Sequence, residues 1–124
     1  MSELIIHTIS RTPGCGSDAR RLLERDLVPR VPDRVLDDAR TVVSELVNNA
    51  YVHGSGEIEL RLSRSGERLR VEVVDQGSGA AVNVRKAGAH GGGQGLRIVQ
   101  ALSLDWGAFE GTTHVWADLS LEPQ

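Results

Sequence analysis

The hydrophobic pattern of this chain changes from a helical to an extended period after residue 53, and this change constrains the fold more than any other feature. Before it, apolar residues recur at steps of three and four residues, at Val35, Leu36, Ala39, Val42, Val43, Leu46, Val47 and Ala50. That spacing predicts an amphipathic helix that begins at Pro32 and Asp33 and ends at Gly54 and Gly56. From residue 58 onward apolar and polar residues alternate, which predicts strands.

Shorter elements are predicted on both sides of this helix. They are a strand over Leu4–Ile9, a helix capped by Ser17 that runs to about Val28, a hairpin that turns at Ser65 and Gly66, a helix over Leu96–Leu102, and strands over Asp105–Phe109 and His114–Leu121. The order predicts an α+β fold. We expect a two-layer α/β sandwich with a mixed, mostly antiparallel sheet and with the helices packed on one face.

Length and composition exclude several kinds of site. The 124 residues predict a single domain, 1–124. Aromatic residues make up 3% of the chain and the net charge is −3, so direct binding of nucleic acid is not expected. The chain has no Gly-Lys-Ser or Gly-Lys-Thr, which excludes a P-loop. The single cysteine, Cys15, is expected in a loop, and the lack of a signal sequence or long apolar run predicts a cytoplasmic protein that contacts no membrane.

Three polar residues, Glu45, Asn49 and His53, form a row along the predicted long helix, each about one turn after the last. The row lies beside the apolar stripe, where polar groups need partners. One interpretation is a solvated helix end. The other is a carboxylate that activates a hydroxyl beside an amide oxygen that binds Mg²⁺, both facing one cleft. His53 is expected to shape that pocket or to cap the helix.

Asp75 ends the second strand of the hairpin and is followed by Gly77 and Gly79. An Asp at a strand end can close a turn. It can also accept a hydrogen bond from a ligand amine while the two glycines let the backbone approach a flat ring. The pattern leaves both interpretations open.

A second glycine stretch leads directly into the next predicted helix. It contains Gly91, Gly92, Gly93 and Gly95, and Leu96 follows. Exposed N–H groups at a helix N-terminus bind phosphate, and glycine leaves room for it. A flexible loop without a ligand is the alternative.

The three motifs together are more specific than any one of them. The chain resembles the GHKL ATP-binding superfamily in Glu45-x-x-x-Asn49-Ala50-x-x-His53, Asp75-x-Gly77-x-Gly79 and Gly93-x-Gly95-Leu96. Within it, the chain looks most like the small stand-alone bacterial anti-sigma factors that are also serine kinases. The resemblance covers nearly the whole chain, most firmly residues 41–119.

This resemblance implies a role at the nucleotide for four residues. Asp75 would hold the adenine amino group, and Thr112 would support that contact through water. Asn49 would coordinate Mg²⁺ between the phosphates. Glu45 would be the catalytic base that orients or activates the attacking hydroxyl. ATP and Mg²⁺ are therefore the expected cofactors.

The same resemblance implies further nucleotide contacts, and it completes the set of cofactor-binding residues with His53, Gly77, Gly79, Gly91, Gly93, Gly95 and Leu96. The backbone N–H groups of the last three would cradle phosphate. Residues 80–92 would form a lid over the nucleotide. An arginine of the first helix, Arg20 or Arg21, would face the phosphates or a partner.

The function implied by the resemblance is that of a Mg-ATP-binding anti-sigma factor with serine/threonine kinase activity toward an anti-sigma factor antagonist. The expected partners are a sigma factor, that antagonist or both, and a second copy of the chain in a homodimer. The short lid, and Gln94 where arginine or lysine is frequent in the superfamily, favour an alternative. In it, the chain is a nucleotide-dependent partner-binding module without phosphotransfer. A third hypothesis is an interaction domain that binds no nucleotide.

Overall fold

The structure, a computed structural model, describes residues 3–77, 94–109 and 114–122. They form five strands and three helices in the order β1 (Glu3–Ile9), α1 (Cys15–Leu27), α2 (Asp33–His53), β2 (Ile58–Ser65), β3 (Arg68–Val74), α3 (Gln94–Leu102), β4 (Asp105–Phe109) and β5 (His114–Ser120). The predicted long helix, the hairpin and the two final strands are confirmed. Within these residues, no helix is long and apolar enough to cross a membrane.

The five strands form one sheet in the order β1-β2-β3-β5-β4, and every neighbouring pair is antiparallel. The helices α1 and α2 connect β1 to β2. The first carries the chain away from the end of the sheet where β1 stops and the second brings it back there, so β2 is antiparallel to β1. Among the described residues, the helix between β3 and β4 along the chain is α3. These two strands run the same way, but β5 is inserted between them in the sheet. The predicted α+β sandwich is confirmed, and its sheet is antiparallel throughout rather than mixed because β5 separates these two strands.

The core lies between the sheet and the helices on one of its faces. All eight apolar positions predicted on α2 are buried. Residues that face them alternate along the strands, so Leu60, Val71 and Ala117 are fully buried, and Leu23 of α1 and Val99 of α3 complete the layer. Each large aliphatic side chain contributes about 1.5–3 kcal/mol by its burial. Because α2 contacts both other helices and three strands, it is held at the centre of the molecule.

The start of α1 differs from the prediction. The helix begins at Cys15 with Gly14 as its N-cap, and no side chain caps it. Ser17 lies inside the helix, where its hydroxyl accepts a hydrogen bond from Arg20. Cys15 is a buried residue of the first turn rather than part of a loop. The first helical hydrogen bond runs from the N–H of Asp18 to the carbonyl oxygen of Gly14, at 3.1 Å, so the backbone of Gly14 opens the helix three residues before Ser17.

Candidate functional site

The end of α2 and the end of β3 meet at one end of the sandwich. Gly54, the residue after α2, lies against the carboxylate of Asp75, the residue after β3. A Cβ atom on Gly54 would lie 2.0 Å from Oδ2 of Asp75. The φ angle of Gly54 is −96°, so glycine is needed here for space and not for its backbone conformation.

The two oxygens of the Asp75 carboxylate, a group that is 4% exposed, differ in their hydrogen bonds. Oδ1 accepts a hydrogen bond of 2.6 Å from the backbone N–H of Gly77, which closes the turn after β3. Oδ2 is buried and has no hydrogen-bond partner among the described residues. Because a buried acceptor without a donor costs about 1–3 kcal/mol, this oxygen suits a ligand that brings an N–H group.

The loop from α2 to β2 is tied to the residues that follow Asp75. The backbone N–H of Gln76 donates to the carbonyl oxygen of Ser55 at 2.9 Å, and the Ser55 hydroxyl donates to the carbonyl oxygen of Gly77. Gly56, at a left-handed φ of +69°, lies against the Gln76 side chain. The loop and the segment after β3 therefore form one hydrogen-bonded unit around the carboxylate.

Glu45 lines an open cleft of about 410 Å³ between the start of α1 and the middle of α2. Arg20, Ser44 and Asn48 line the same cleft. The Glu45 side chain is half-buried and makes no hydrogen bond to another residue of the described ranges. A carboxylate placed in this way can accept a proton from a hydroxyl that enters the cleft.

The other two residues of the predicted row are spread along α2. Asn49 is half-buried but does not line the cleft, whereas its neighbour Asn48 is exposed there. His53 is the last residue of the helix and is exposed. The row that was expected to face one cleft thus extends from the cleft at Glu45 to the helix end beside Asp75.

The structure distinguishes the two arginines that the sequence left open. Arg20 donates from Nη1 to the Ser44 hydroxyl at 2.9 Å, beside Glu45 in the cleft. Arg21 instead pairs with Asp18 on the exposed side of α1. Arg20 is therefore the arginine that faces the candidate site.

The N-terminus of α3 carries the last part of the glycine motif that the structure describes. The helix begins at Gln94, two residues before the predicted start, so Gly95 lies in its first turn. Leu96 is buried and anchors this end in the core. The first N–H groups of a helix have no partner within it, so this backbone can bind an anion. Outside the described residues lie Gly79, Gly91, Gly93, Thr112 and the expected lid, residues 80–92.

Asn49 is the residue predicted to bind a metal ion. Across residues 3–77, 94–109 and 114–122, no three His, Cys, Asp or Glu side chains are grouped to hold a metal. Asn49 offers one amide oxygen. Mg²⁺ is commonly held by one or two protein ligands, with water and substrate phosphates in its other positions. The amide oxygen of Asn49 is a donor type that such an ion accepts.

Arg11 contacts this end of the molecule although it belongs to none of the sequence motifs. Its guanidinium donates to the carbonyl oxygens of Ala50, Tyr51 and Gly56 at 2.8, 2.7 and 2.9 Å. These partners lie 39, 40 and 45 residues further along the chain, so no local pattern marks the contact.

Comparison with known families identifies the family of the chain. Residues 35–123 match the family described as histidine kinase-, DNA gyrase B-, and HSP90-like ATPase. The chain belongs to this family. It is therefore an ATP-binding domain of the GHKL type, and the resemblance carried by the three motifs is confirmed.

Two proteins of Mycobacterium tuberculosis are similar to this GHKL domain. Over 126 aligned residues, which cover 92% of the chain, it is 25% identical to the sensor histidine kinase component HK1 of strain H37Rv. It is also 25% identical over 126 residues to a probable sensor histidine kinase, HK, of strain CDC 1551. The alignment covers 73% of the first protein and 33% of the second. The names of both relatives describe sensor histidine kinases.

Proposed function

We propose that this GHKL domain is a Mg-ATP-dependent protein kinase that phosphorylates a serine or threonine of a regulatory protein, and that it acts as an anti-sigma factor. The observation that carries the proposal is the buried Oδ2 of Asp75, which has no donor among the described residues. Glu45 supports the kinase part, because it lines an open cleft on the helix that ends beside Asp75. The partner is proposed from the resemblance of the motifs.

Asp75 is suited to select adenine. Its Oδ2 would accept a hydrogen bond from the exocyclic amine of the base, while Oδ1 is already held by the N–H of Gly77. A base with a carbonyl oxygen at that position would place two acceptors against each other in a buried site, which costs free energy. The domain is therefore expected to prefer ATP to ITP.

Asn49 and the start of α3 would bind the triphosphate end of the nucleotide. The N–H groups of the first turn of α3 can donate to phosphate oxygens. Asn49 would give its amide oxygen to the Mg²⁺ that accompanies the phosphates. When bound, this ion neutralises charge on the phosphates during transfer.

Glu45 is proposed to accept the proton of the acceptor hydroxyl. The hydroxyl oxygen attacks the γ-phosphorus, the bond from the γ-phosphorus to its bridging oxygen breaks, and ADP leaves. Arg20 lies in the same cleft, where hydrogen bonds to Ser44 and Ser17 orient its guanidinium. Its charge favours a partner segment that carries carboxylate or carbonyl acceptors.

A second candidate function is phosphorylation of a histidine. It is favoured by the two relatives, which are named as sensor histidine kinases. Glu45 could accept the proton of an imidazole N–H as it could that of a hydroxyl. The two functions differ in the product, since a phosphoester of serine or threonine resists acid whereas the phosphoramidate of histidine is hydrolysed by it.

The test combines nucleotide binding with phosphate transfer. Calorimetric titration with ATP and Mg²⁺ is expected to show binding, and a lack of binding would overturn the nucleotide assignment. The chain is then incubated with γ-labelled ATP and, in turn, with purified sigma factors and antagonist proteins of its source organism. Acid-stable label on one of them, absent with Glu45→Gln, is expected. Acid-labile label would favour histidine, and ATP binding without label would favour a partner-binding module.

A further inference from the structure

The side chain of Arg11, two residues after β1, spans the C-terminus of α2. Nη1 donates to the carbonyl oxygens of Ala50 and Tyr51 at 2.8 and 2.7 Å, and Nε donates to that of Gly56 at 2.9 Å. Two of these carbonyls belong to the last turn of the helix, and the third lies beyond its end. One guanidinium therefore joins the helix to the loop that leaves it.

The helix C-terminus gives Arg11 a strong place to bind. The last carbonyl groups of a helix have no partner within it, and they form the negative end of the helix dipole. The Ala50 carbonyl oxygen already accepts a hydrogen bond from the backbone N–H of Gly54 at 2.9 Å, so Arg11 is its second donor. A cation at this end interacts favourably with the helix dipole, and hydrogen bonds from a charged donor are stronger than neutral ones. The planar guanidinium also fixes the angle between its donors, which an ammonium group does not. Arg11 thus sets the direction in which the chain leaves α2.

The loop held by Arg11 is the one that surrounds Asp75. The Gly54 backbone lies against the carboxylate, with no room for a side chain between them. The carbonyl oxygen of Ser55 accepts a hydrogen bond from the N–H of Gln76, at 2.9 Å. Movement of the loop would therefore move Asp75 and its partners directly.

We infer that Arg11 is a positioning residue that sets the selectivity of the site for adenine. This inference rests on the proposed binding of ATP and adds to it a residue that the family motifs do not contain. Asp75 can discriminate between bases only while its free oxygen is aimed at the exocyclic amine and is closed off from water. Arg11 maintains both conditions through the loop without touching the base, and it does not line the Glu45 cleft.

The first test measures the positioning in the nucleotide-free protein. Amide hydrogen exchange is compared among the wild type, Arg11→Met and Arg11→Lys, with Arg40→Met as the matched control. Arg40 also joins two elements, since it pairs with Glu24 of α1 at 2.7 Å, but it makes no contact with the loop. We expect exchange at Gln76 and Gly77 to rise by roughly tenfold in Arg11→Met relative to the β2 and β3 amides of the same variant, with a smaller rise in Arg11→Lys. Unchanged exchange at Gln76 and Gly77 would overturn the inference.

The second test measures selectivity as the ratio of the dissociation constants for ITP and ATP. ITP carries a carbonyl oxygen where ATP carries the amine. We expect Arg11→Met to lower this ratio by roughly tenfold. Arg40→Met should leave the ratio unchanged, because a general loss of stability lowers the affinities for ATP and ITP alike. An unchanged ratio in Arg11→Met would overturn the role in selectivity. If the wild type itself does not prefer ATP, the role proposed for Asp75 is wrong, and the exchange measurement alone then decides whether Arg11 positions the loop.

Discussion

The carboxylate of Asp75 lies against the backbone of Gly54, at a position where a Cβ atom would be 2.0 Å from Oδ2. The two residues belong to different layers of the sandwich, since Gly54 follows α2 and Asp75 follows β3. Their contact closes off one oxygen of the carboxylate without supplying a donor to it. The helix end thus forms one wall of the place where a base is proposed to bind.

The variant Gly54→Ala tests this contact. Its methyl group must displace the carboxylate, so we expect a loss of about 1–3 kcal/mol in the free energy of unfolding. We also expect ATP affinity to fall by roughly tenfold or more, since Oδ2 is moved from its place. Urea unfolding and calorimetric titration measure the two effects.

Gly66→Ala is the matched control for that variant. Gly66 adopts a φ of +59° in the turn between β2 and β3, and nothing lies within 4 Å of a Cβ atom built on it. The alanine is strained by about 1–2 kcal/mol but meets no neighbour. Stability should therefore fall while ATP affinity stays unchanged. Equal losses of ATP affinity in the two variants would contradict the contact between Gly54 and Asp75 as the cause.

The variant Asp75→Asn tests the acceptor itself. Asparagine keeps the volume but can turn an NH₂ group toward the base, so we expect ATP affinity to fall by roughly tenfold or more. Calorimetric titration measures the loss, and circular dichroism confirms that the fold is kept. Asp105→Asn is the control, because Asp105 is exposed and its carboxylate accepts only from the N–H of Trp106 among the described residues. ATP binding by Asp75→Asn at wild-type strength would show that Oδ2 is not used.

The variant Glu45→Gln separates catalysis from binding. The amide keeps the shape of the side chain but cannot take up a proton, so we expect phosphate transfer to fall by about 10²-fold or more. ATP affinity should stay within about threefold, because Glu45 lies in the cleft and away from the Asp75 carboxylate. Label transfer to the partner is the measurement. Asp37→Asn, an exposed position on the same helix, is the control. Transfer at the wild-type rate by Glu45→Gln would remove Glu45 from the mechanism.

The variant Asp118→Asn is expected to change stability alone. On the sheet face away from the helices, the 3% exposed Asp118 accepts two hydrogen bonds from Arg70, at 2.7 and 3.0 Å. The Arg70 guanidinium also lies 4.2 Å from the centre of the Trp116 ring. Because Arg70 is partly exposed, we expect the free energy of unfolding to fall by about 1–2 kcal/mol, which is less than for a fully buried pair. Urea unfolding measures it, and ATP affinity should not change.

The pH dependence of this pair follows from the direction of the shift. The hydrogen bond to Asp118 raises the pKa of Arg70. Because the pKa of Arg70 is raised in the folded state, the pair contributes its full share of the free energy of unfolding at pH values below the pKa that Arg70 has in the unfolded chain. That contribution is lost only in strong alkali, as the pH rises through the folded-state pKa. The loss in the free energy of unfolding caused by Asp118→Asn should therefore be constant near neutral pH. The control is Glu59→Gln, whose pair with Arg61 is about one third exposed at both side chains and should contribute little. An equal loss in both variants would contradict a special role for Asp118.

Much of the fold could be predicted because its signals are local. The eight apolar positions of α2 follow from one helical period, and they are all buried. The β2–β3 hairpin follows from alternation on both sides of Ser65 and Gly66. The bounds of β4, Asp105–Phe109, agree with the prediction. Each of these signals lies within a short stretch of sequence, so the rest of the chain is not needed to interpret it.

The remainder depended on contacts between distant residues. The start of α1 was predicted wrongly because the helix opens on the backbone of Gly14, with the buried Cys15 in its first turn, and not on a side-chain cap at Ser17. Only the packing of α1 on α2 turns Arg20, and not Arg21, toward Glu45. The sheet was expected to be mixed. It is antiparallel throughout because β5 is inserted between β3 and β4, and no short stretch of sequence shows that insertion.

The sequence by itself determined the helices and strands, the family, and the residue types available for nucleotide chemistry, because periodicity and motif spacing are properties of neighbouring residues. Only the tertiary structure decided what surrounds Asp75. It placed Gly54 against the carboxylate, left Oδ2 without a donor among the described residues, and brought Arg11 to three carbonyl groups at least 39 residues away. The physical reason is that an acceptor becomes selective through burial and the exclusion of other partners, and both depend on how the layers pack.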